Sequence, residues 1–308
     1  MKSTASLDPA LLTETAPAEP APAGNRARAY VSLTKPRLVL MVLITVGVGY
    51  AVGAHRPISL VVLSATLIGT ALVAGGSGAL NQWMEHARDA RMRRTAGRAI
   101  PSGRVAPVEA ALVGVLLVVS GVGVLLVWSN WLAAAVAAAT FILYFALYTP
   151  LKPITTLNTI VGAVPGALPP VIGWAAATGR LGVEAWVLFL IVFLWQFPHF
   201  LAIAWIYRED YRRAGFQMVT ADDILGRQTG RYAVTYALAL LPAGLLPTTI
   251  GLAGPIYFVG AFALGLFYFL AAVAFWRDVN DARARRLLRA SFLYLPAILI
   301  LLLVNPAT

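Results

Sequence analysis

From residue 38 onward the chain consists of long apolar runs broken by short polar stretches, and the runs lack the strict alternation of a half-buried strand. Nine of them are close to the length at which a helix crosses the hydrocarbon core of a bilayer: about 38–54, 58–80, 106–127, 130–149, 157–177, 185–206, 232–251, 255–275 and 288–304. Backbone immersed in lipid must satisfy its own hydrogen bonds, which leaves helices and closed barrels, and runs this long suit helices rather than the short alternating segments of a barrel. The pattern predicts an all-α integral membrane protein of nine transmembrane helices, with one membrane domain over residues 30–308. In the fifth run, "LNTIVGAVPGALPPVIGWAAA", Pro165, Pro169 and Pro170 predict a kinked or broken helix held by its neighbours.

Composition agrees: 59% of residues are hydrophobic and 12% charged, against roughly 25% charged in an average soluble domain. Residues 1–29 differ, being rich in Ala, Pro and Thr, and are expected to form a disordered cytoplasmic tail. That tail lacks the apolar core of a signal peptide, and Asp8, Glu14 and Glu19 speak against a mitochondrial transit peptide. The chain has no cysteine, so disulfides, thiolate metal sites and cysteine nucleophiles are excluded. Assigning alternate loops to opposite sides puts 22 of the 24 Lys and Arg on one face and leaves Arg56 and Arg180 on the other. The positive-inside rule makes the basic face cytoplasmic, with the N-terminus inside and the C-terminus outside, and a bacterial cytoplasmic membrane is the expected location. The net charge of +11 is then a matter of topology and anionic lipid, and no nucleic-acid partner is expected.

Two loops on that face carry the chemistry. After the second run comes "NQWMEHARDARMRRTAGRAIPSGR", in which Asn81, Glu85 and Asp89 stand at i, i+4 and i+8 and so share one helical face over roughly 12 Å. In the simplest reading this is a solvated helix end, with Glu85 and Asp89 paired to the local Arg88 and Arg93. Asn81 and Glu85 lie close to the apolar boundary, however, where a carboxylate is costly without a cation or a function. After the sixth run, "WQFPHFLAIAWIYREDYRRAGFQMVTADD" repeats the theme with Glu209 and Asp210 among Arg208, Arg212 and Arg213. Carboxylates from two helices, converging with arginines and Lys152, suit a Mg²⁺-bound diphosphate: oxygen ligands hold the cation and basic side chains take the remaining charge. An allylic diphosphate ionises most readily in such a setting, because negative charge grows on its leaving group.

These stretches, together with "LYTPLKPITTLNTIVGAVPGALPPVIGW", resemble the signature loops of the heme O synthase (protoheme IX farnesyltransferase) branch of the UbiA superfamily of membrane prenyltransferases. The runs Met92-x-Arg94-Thr95, Trp195-Gln-x-Pro-His-Phe and Asp210-Tyr-x-x-Ala-Gly point to that branch together, and the likeness covers residue 30 to the end. The resemblance implies a nine-helix bundle around a central cavity, and transfer of farnesyl from farnesyl diphosphate to a vinyl group of heme B with addition of water. By motif position, Asn81, Glu85 and Asp89 would form the first Mg²⁺-diphosphate motif and Asp210 the second. Arg94, Arg98, Arg208 and Lys152 would hold phosphate or a heme propionate. Farnesyl diphosphate, heme B, membrane lipid and a downstream heme-modifying enzyme are the implied partners. Two positions depart from the family pattern: Pro153 stands in place of a second basic residue, and "VTADD" leaves Asp222 and Asp223 with no role beyond keeping a loop soluble.

His199 lies inside a predicted membrane helix and is open to two readings, a heme contact or ligand and a hydrogen-bonded structural residue. Trp195 is expected to line the cavity, most other tryptophans to anchor at the interface, and His55 and His86 to face water. A prenyltransferase for a quinone precursor or another tetrapyrrole would use the same diphosphate site. A secondary transporter would instead keep its charged groups near the bilayer midplane.

Overall fold

The computed structural model describes residues 23–54 and 58–307, and nine helices among them are long and apolar enough to cross a membrane. A short helix α1 (Ala23–Leu33) precedes them. It begins inside the stretch expected to be a disordered tail, and it is tied down where Arg26 and Tyr30 meet Glu109. The rest of that tail lies outside the described residues, as do His55 and Arg56. Next come α2 (Pro36–Gly53), α3 (Leu60–Asp89), α4 (Pro107–Trp128) and α5 (Trp131–Ile142), the last continuing through a π-helical turn, Leu143–Tyr148, into α6 (Thr149–Leu151).

The proline-rich fifth span is broken as predicted, into α7 (Asn158–Ala167) and α8 (Pro169–Thr178). Pro169 and Pro170 have no N–H to donate, so the helical ladder cannot run through Leu168. The chain continues through α9 (Val183–Ile206), α10 (Arg208–Ala214), α11 (Val219–Asp222), α12 (Arg227–Thr249), α13 (Pro255–Arg277) and α14 (Asp281–Val304).

Helix packing follows the membrane rule that small residues let backbones approach, since lipid tails are as apolar as leucine and supply no hydrophobic drive. Along α3 and α4, Gly69 faces Gly121 and Gly76 faces Gly114; a Cβ added at Gly121 or Gly76 would lie 2.6 Å from the facing glycine's carbonyl oxygen. At the α2–α8 crossing a Cβ on Gly173 would meet the Val46 carbonyl oxygen at 1.9 Å. The largest buried cluster includes Tyr257, Tyr268 and Tyr294 of α13 and α14, while a smaller one joins Ala29 and Leu33 to Ala79, Ala99 and Ile100. That smaller cluster fixes the loop after α3 against α1, beside the polar row.

Candidate active site

Helix α3 runs nine residues past the predicted end of its apolar run, so Asn81, Glu85 and Asp89 occupy its last turns. All three are buried, at 2, 5 and 0% exposure. Each meets a cation from a different segment. Lys35, just before α2, donates to Asn81 Oδ1 at 2.7 Å. Lys152, just after α6, brings its Nζ within 2.8 Å of Glu85 Oε1. Arg98, in the α3–α4 loop, donates to Asp89 Oδ2 at 2.6 Å. The local partners of the solvated-helix reading, Arg88 and Arg93, make none of these contacts, so that reading fails.

Four cationic side chains (Lys35, Arg94, Arg98, Lys152) and two carboxylates (Glu85, Asp89) line a cavity of about 80 Å³ at this end of α3. A space of that size holds several waters or a compact anion. Burial, reinforced by the Arg98 and Lys152 charges, brings the Lys35 ammonium down to about 7. Burial also acts to lower Lys152, but Tyr148 and Glu85 outweigh it and hold that ammonium above its ordinary value. The backbone at Lys35 is left-handed, with φ 51°, an unusual conformation for a residue other than glycine. Lys35 was not singled out from the sequence; a lysine directly before the proline that opens the first membrane helix was the available signal.

Tyr144 and Tyr148 also line the cavity, from the π-helical turn, and the Lys152 ammonium sits 4.5 Å from the Tyr148 ring centre. Such turns recur at functional sites. Two further bonds steady Lys152: its carbonyl accepts from the Gln217 N–H at 2.7 Å, and the Gln217 carbonyl accepts from Asn158 Nδ2 at 2.6 Å.

Among the described residues no three His, Asp or Glu side chains come together as a ready metal cage. The donor set nevertheless fits Mg²⁺, which usually binds through one or two carboxylates, retained waters and substrate phosphates. Asp89 Oδ1 is buried with no hydrogen-bond partner among the described residues, and Glu85 Oε1 has the Lys152 ion pair but no well-aligned donor. Unsatisfied buried carboxylate oxygens are expensive, and a divalent cation would satisfy both.

The second acidic loop is brought beside the first but not into the same cavity. Asp210 on α10 accepts from Arg213 at 2.6 Å, and its other oxygen lies 3.4 Å from the Arg94 N–H. The Arg94 guanidinium covers the Tyr207 ring at 4.5 Å and donates to the Tyr211 hydroxyl at 3.2 Å. Asp210 therefore reaches the cavity through Arg94 and does not line it. Arg208, expected at the substrate, is turned to Asp281 of α14 at 2.8 Å and lies over Trp205. Trp195 and His199 sit between α9 and α14, away from this cavity: the rings stack with centres 5.0 Å apart, and His199 Nδ1 is 2.7 Å from Ser291 Oγ. Asp223 is no idle solubiliser, because its Oδ2 accepts from the Thr229 N–H at 2.6 Å and from the Thr229 hydroxyl at 2.8 Å, capping the start of α12.

Residues 42–296 match the UbiA prenyltransferase family. The chain is 46% identical over 287 residues to the protoheme IX farnesyltransferase of Solibacter usitatus, a match covering 90% of this chain and 98% of that one. It is 42% identical over 276 residues to the protoheme IX farnesyltransferase of Salinibacter ruber, with the same coverage of 90% and 98%. Among solved structures it is similar to a digeranylgeranylglyceryl phosphate synthase, with TM-score 0.77, 14% identity and coverage of 91% and 98%. It is also similar to a UbiA homologue from Archaeoglobus fulgidus bound to GPP and Mg²⁺, with TM-score 0.66, 14% identity and coverage of 89% and 99%. At those identities the structural likeness speaks for the nine-helix fold, while the sequence likeness extends over nearly the whole chain. The chain belongs to the UbiA prenyltransferase family, within its protoheme IX farnesyltransferase branch.

Proposed function

We propose that the chain transfers the farnesyl group of farnesyl diphosphate to a vinyl group of heme B, with addition of water, to give heme O and diphosphate. The observation that carries the reading is the buried row Asn81, Glu85 and Asp89, each member met by a cation from a different segment around one cavity. Lys35, Arg94, Arg98 and Lys152 would hold the diphosphate oxygens. As the allylic C–O bond breaks, charge moves onto those oxygens, and fixed cations in a water-poor site stabilise that charge more than the ground state. The farnesyl carbon then bonds to the outer vinyl carbon, water adds to the inner one, and the water's proton leaves to solvent. Asn81, Glu85 and Asp89 would hold Mg²⁺, and Asp210 would join them by giving up its Arg213 partner. When bound, Mg²⁺ supplies charge neutralisation of the leaving diphosphate.

The distribution of Lys and Arg supports assigning the basic face to the cytoplasm, and a bacterial cytoplasmic membrane is the proposed location. Heme O leaves as an apolar product within the membrane, so an enzyme that modifies heme O further is the natural downstream partner. A carrier reading loses support, since the charged groups gather at one end of α3 instead of the midplane.

The test is to incubate the purified protein with heme B, farnesyl diphosphate and Mg²⁺ and to follow the product by mass spectrometry. The expected product is heme gaining one farnesyl group and one water. Product formed only with a quinone precursor would move the acceptor assignment to the quinone branch.

A further inference from the structure

Between α9 and α14 lies a buried histidine held by a hydrogen bond and a stacked ring. Ser291 is fully buried, and its hydroxyl donates to the Leu288 carbonyl at 2.6 Å. With its proton directed there, Ser291 Oγ offers a lone pair to His199 Nδ1, 2.7 Å away. In the tautomer that this contact favours, Nδ1 carries the ring proton and Nε2 of the neutral imidazole keeps its lone pair. The ring is held in place: Trp195 stacks on it at 5.0 Å and donates through its own Nε1 to the Ser291 carbonyl at 3.0 Å. The Trp195 carbonyl in turn accepts from the Tyr268 hydroxyl at 3.2 Å. The His199 ring has further aromatic neighbours, Phe200 at 5.6 Å and Phe292 edge-on at 5.2 Å between ring centres. Phe292 is 58% exposed, which leaves one side of the wedge open toward lipid.

This is the arrangement of a metal-ligating histidine, whose second nitrogen is tied to an acceptor that fixes tautomer and orientation. The flat aromatic surround suits an apolar macrocycle. We infer that His199 Nε2 is an axial ligand to the iron of heme B and that Ser291 is the positioning residue that sets its tautomer, an inference that rests on the heme reading above. Site and diphosphate cavity are then separate along the bundle: one holds the acceptor, the other the leaving group.

The test uses ferric heme B added to the purified full chain in detergent, read by optical and electron paramagnetic resonance spectra. The wild type should bind heme saturably with the signature of histidine ligation. His199→Ala should lose that signature, and added imidazole should restore it. Ser291→Ala should weaken heme binding by roughly tenfold, the usual effect of removing a partner of a metal-ligating histidine, and should shift the iron spectrum. Ser291→Thr, which keeps the hydroxyl, should bring both back toward wild type. Farnesyl diphosphate binding should change less than twofold in every variant, which guards against simple misfolding. A histidine signature that survives His199→Ala, or a Ser291→Ala spectrum identical to wild type, would overturn the inference. Absence of any heme binding by the wild type would instead sink the heme reading itself.

Discussion

Asp89 and Glu209 carry the same charge at the same end of the molecule and have opposite surroundings. Asp89 is fully buried against Arg98 at 2.6 Å, whereas the Glu209 side chain is 64% exposed beside Arg212 at 3.2 Å. Exposed pairs contribute little, so Glu209→Gln should leave turnover and thermal stability unchanged. Asp89→Asn keeps size but removes the charge needed at the cavity; turnover should fall by about 10²-fold, the scale of losing one transition-state electrostatic contact. Steady-state assays of both variants check the contrast, and equal activity of the two would return Asp89 to the solvated-helix reading. The Glu85–Lys152 pair makes a sharper case, since both partners are largely buried. Lys152→Met strands a carboxylate and should destabilise by about 3–5 kcal/mol, while Lys152→Met with Glu85→Gln should recover most of that stability but none of the activity. Thermal melts in detergent that rank the double variant below the single one would contradict this. The row itself was legible in the sequence because four-residue spacing is a local property of helices. Its partners were legible only in part: Arg98 and Lys152 were expected at the site as holders of phosphate or propionate, but local spacing paired the carboxylates with Arg88 and Arg93, and Lys35, from a distant segment, was missed.

Helix α3 shows where hydropathy stops being a guide to an element. The apolar run ends near residue 80 but the helix continues to Asp89, since hydropathy reports contact with lipid and helix continuity needs only satisfied backbone. The same difference moves the start of α14 to Asp281, ahead of the predicted 288. The break between α7 and α8 was legible because proline acts on its own backbone, whatever surrounds it. Glycine roles were less legible, since α4 contains Gly121 and Gly123 two residues apart and the sequence does not say which one faces α3. A Cβ at Gly121 would lie 2.6 Å from the Gly69 carbonyl oxygen, while one at Gly123 meets nothing within 4 Å. Gly121→Ala should therefore cost about 1–3 kcal/mol through overpacking of two backbones. Gly123→Ala should be neutral or stabilising by up to about 1 kcal/mol, from helix propensity. Melting temperatures of the two variants in one detergent give the answer, and a larger loss at Gly123 would mean that α3 and α4 pack on another face.

At the scale of the whole molecule the shared site depends on sidedness. Contacts between Arg94 and Asp210 and between Lys152 and Glu85 already gather the α3–α4 loop, α10 and the end of α6 at one end of the bundle. Arg285, near the start of α14, pairs with Asp281, which also holds Arg208 beside α10, so the α13–α14 connection belongs to the same end. Arg180 follows α8 at the other end of the fifth span. Fold class was legible from the apolar runs, because transfer into lipid acts on every residue alike, and the 22-to-2 division of basic residues is the ground on which the sidedness is proposed. The acceptor was legible only through family resemblance, since a site for a flat apolar ring leaves no charge pattern. A chain without cysteine allows a direct test of the topology. Single cysteines replacing Arg93, Arg213 and Arg285 should react with a membrane-impermeant maleimide only when the cytoplasmic face is accessible, and one replacing Arg180 only from the opposite face. Reaction of the first three from the outer face, with Arg180 inside, would invert the orientation yet keep the site whole. Arg93 and Arg213 reacting from opposite faces would separate the loops that supply Arg94 and Asp210, and no single diphosphate site could then be built from them.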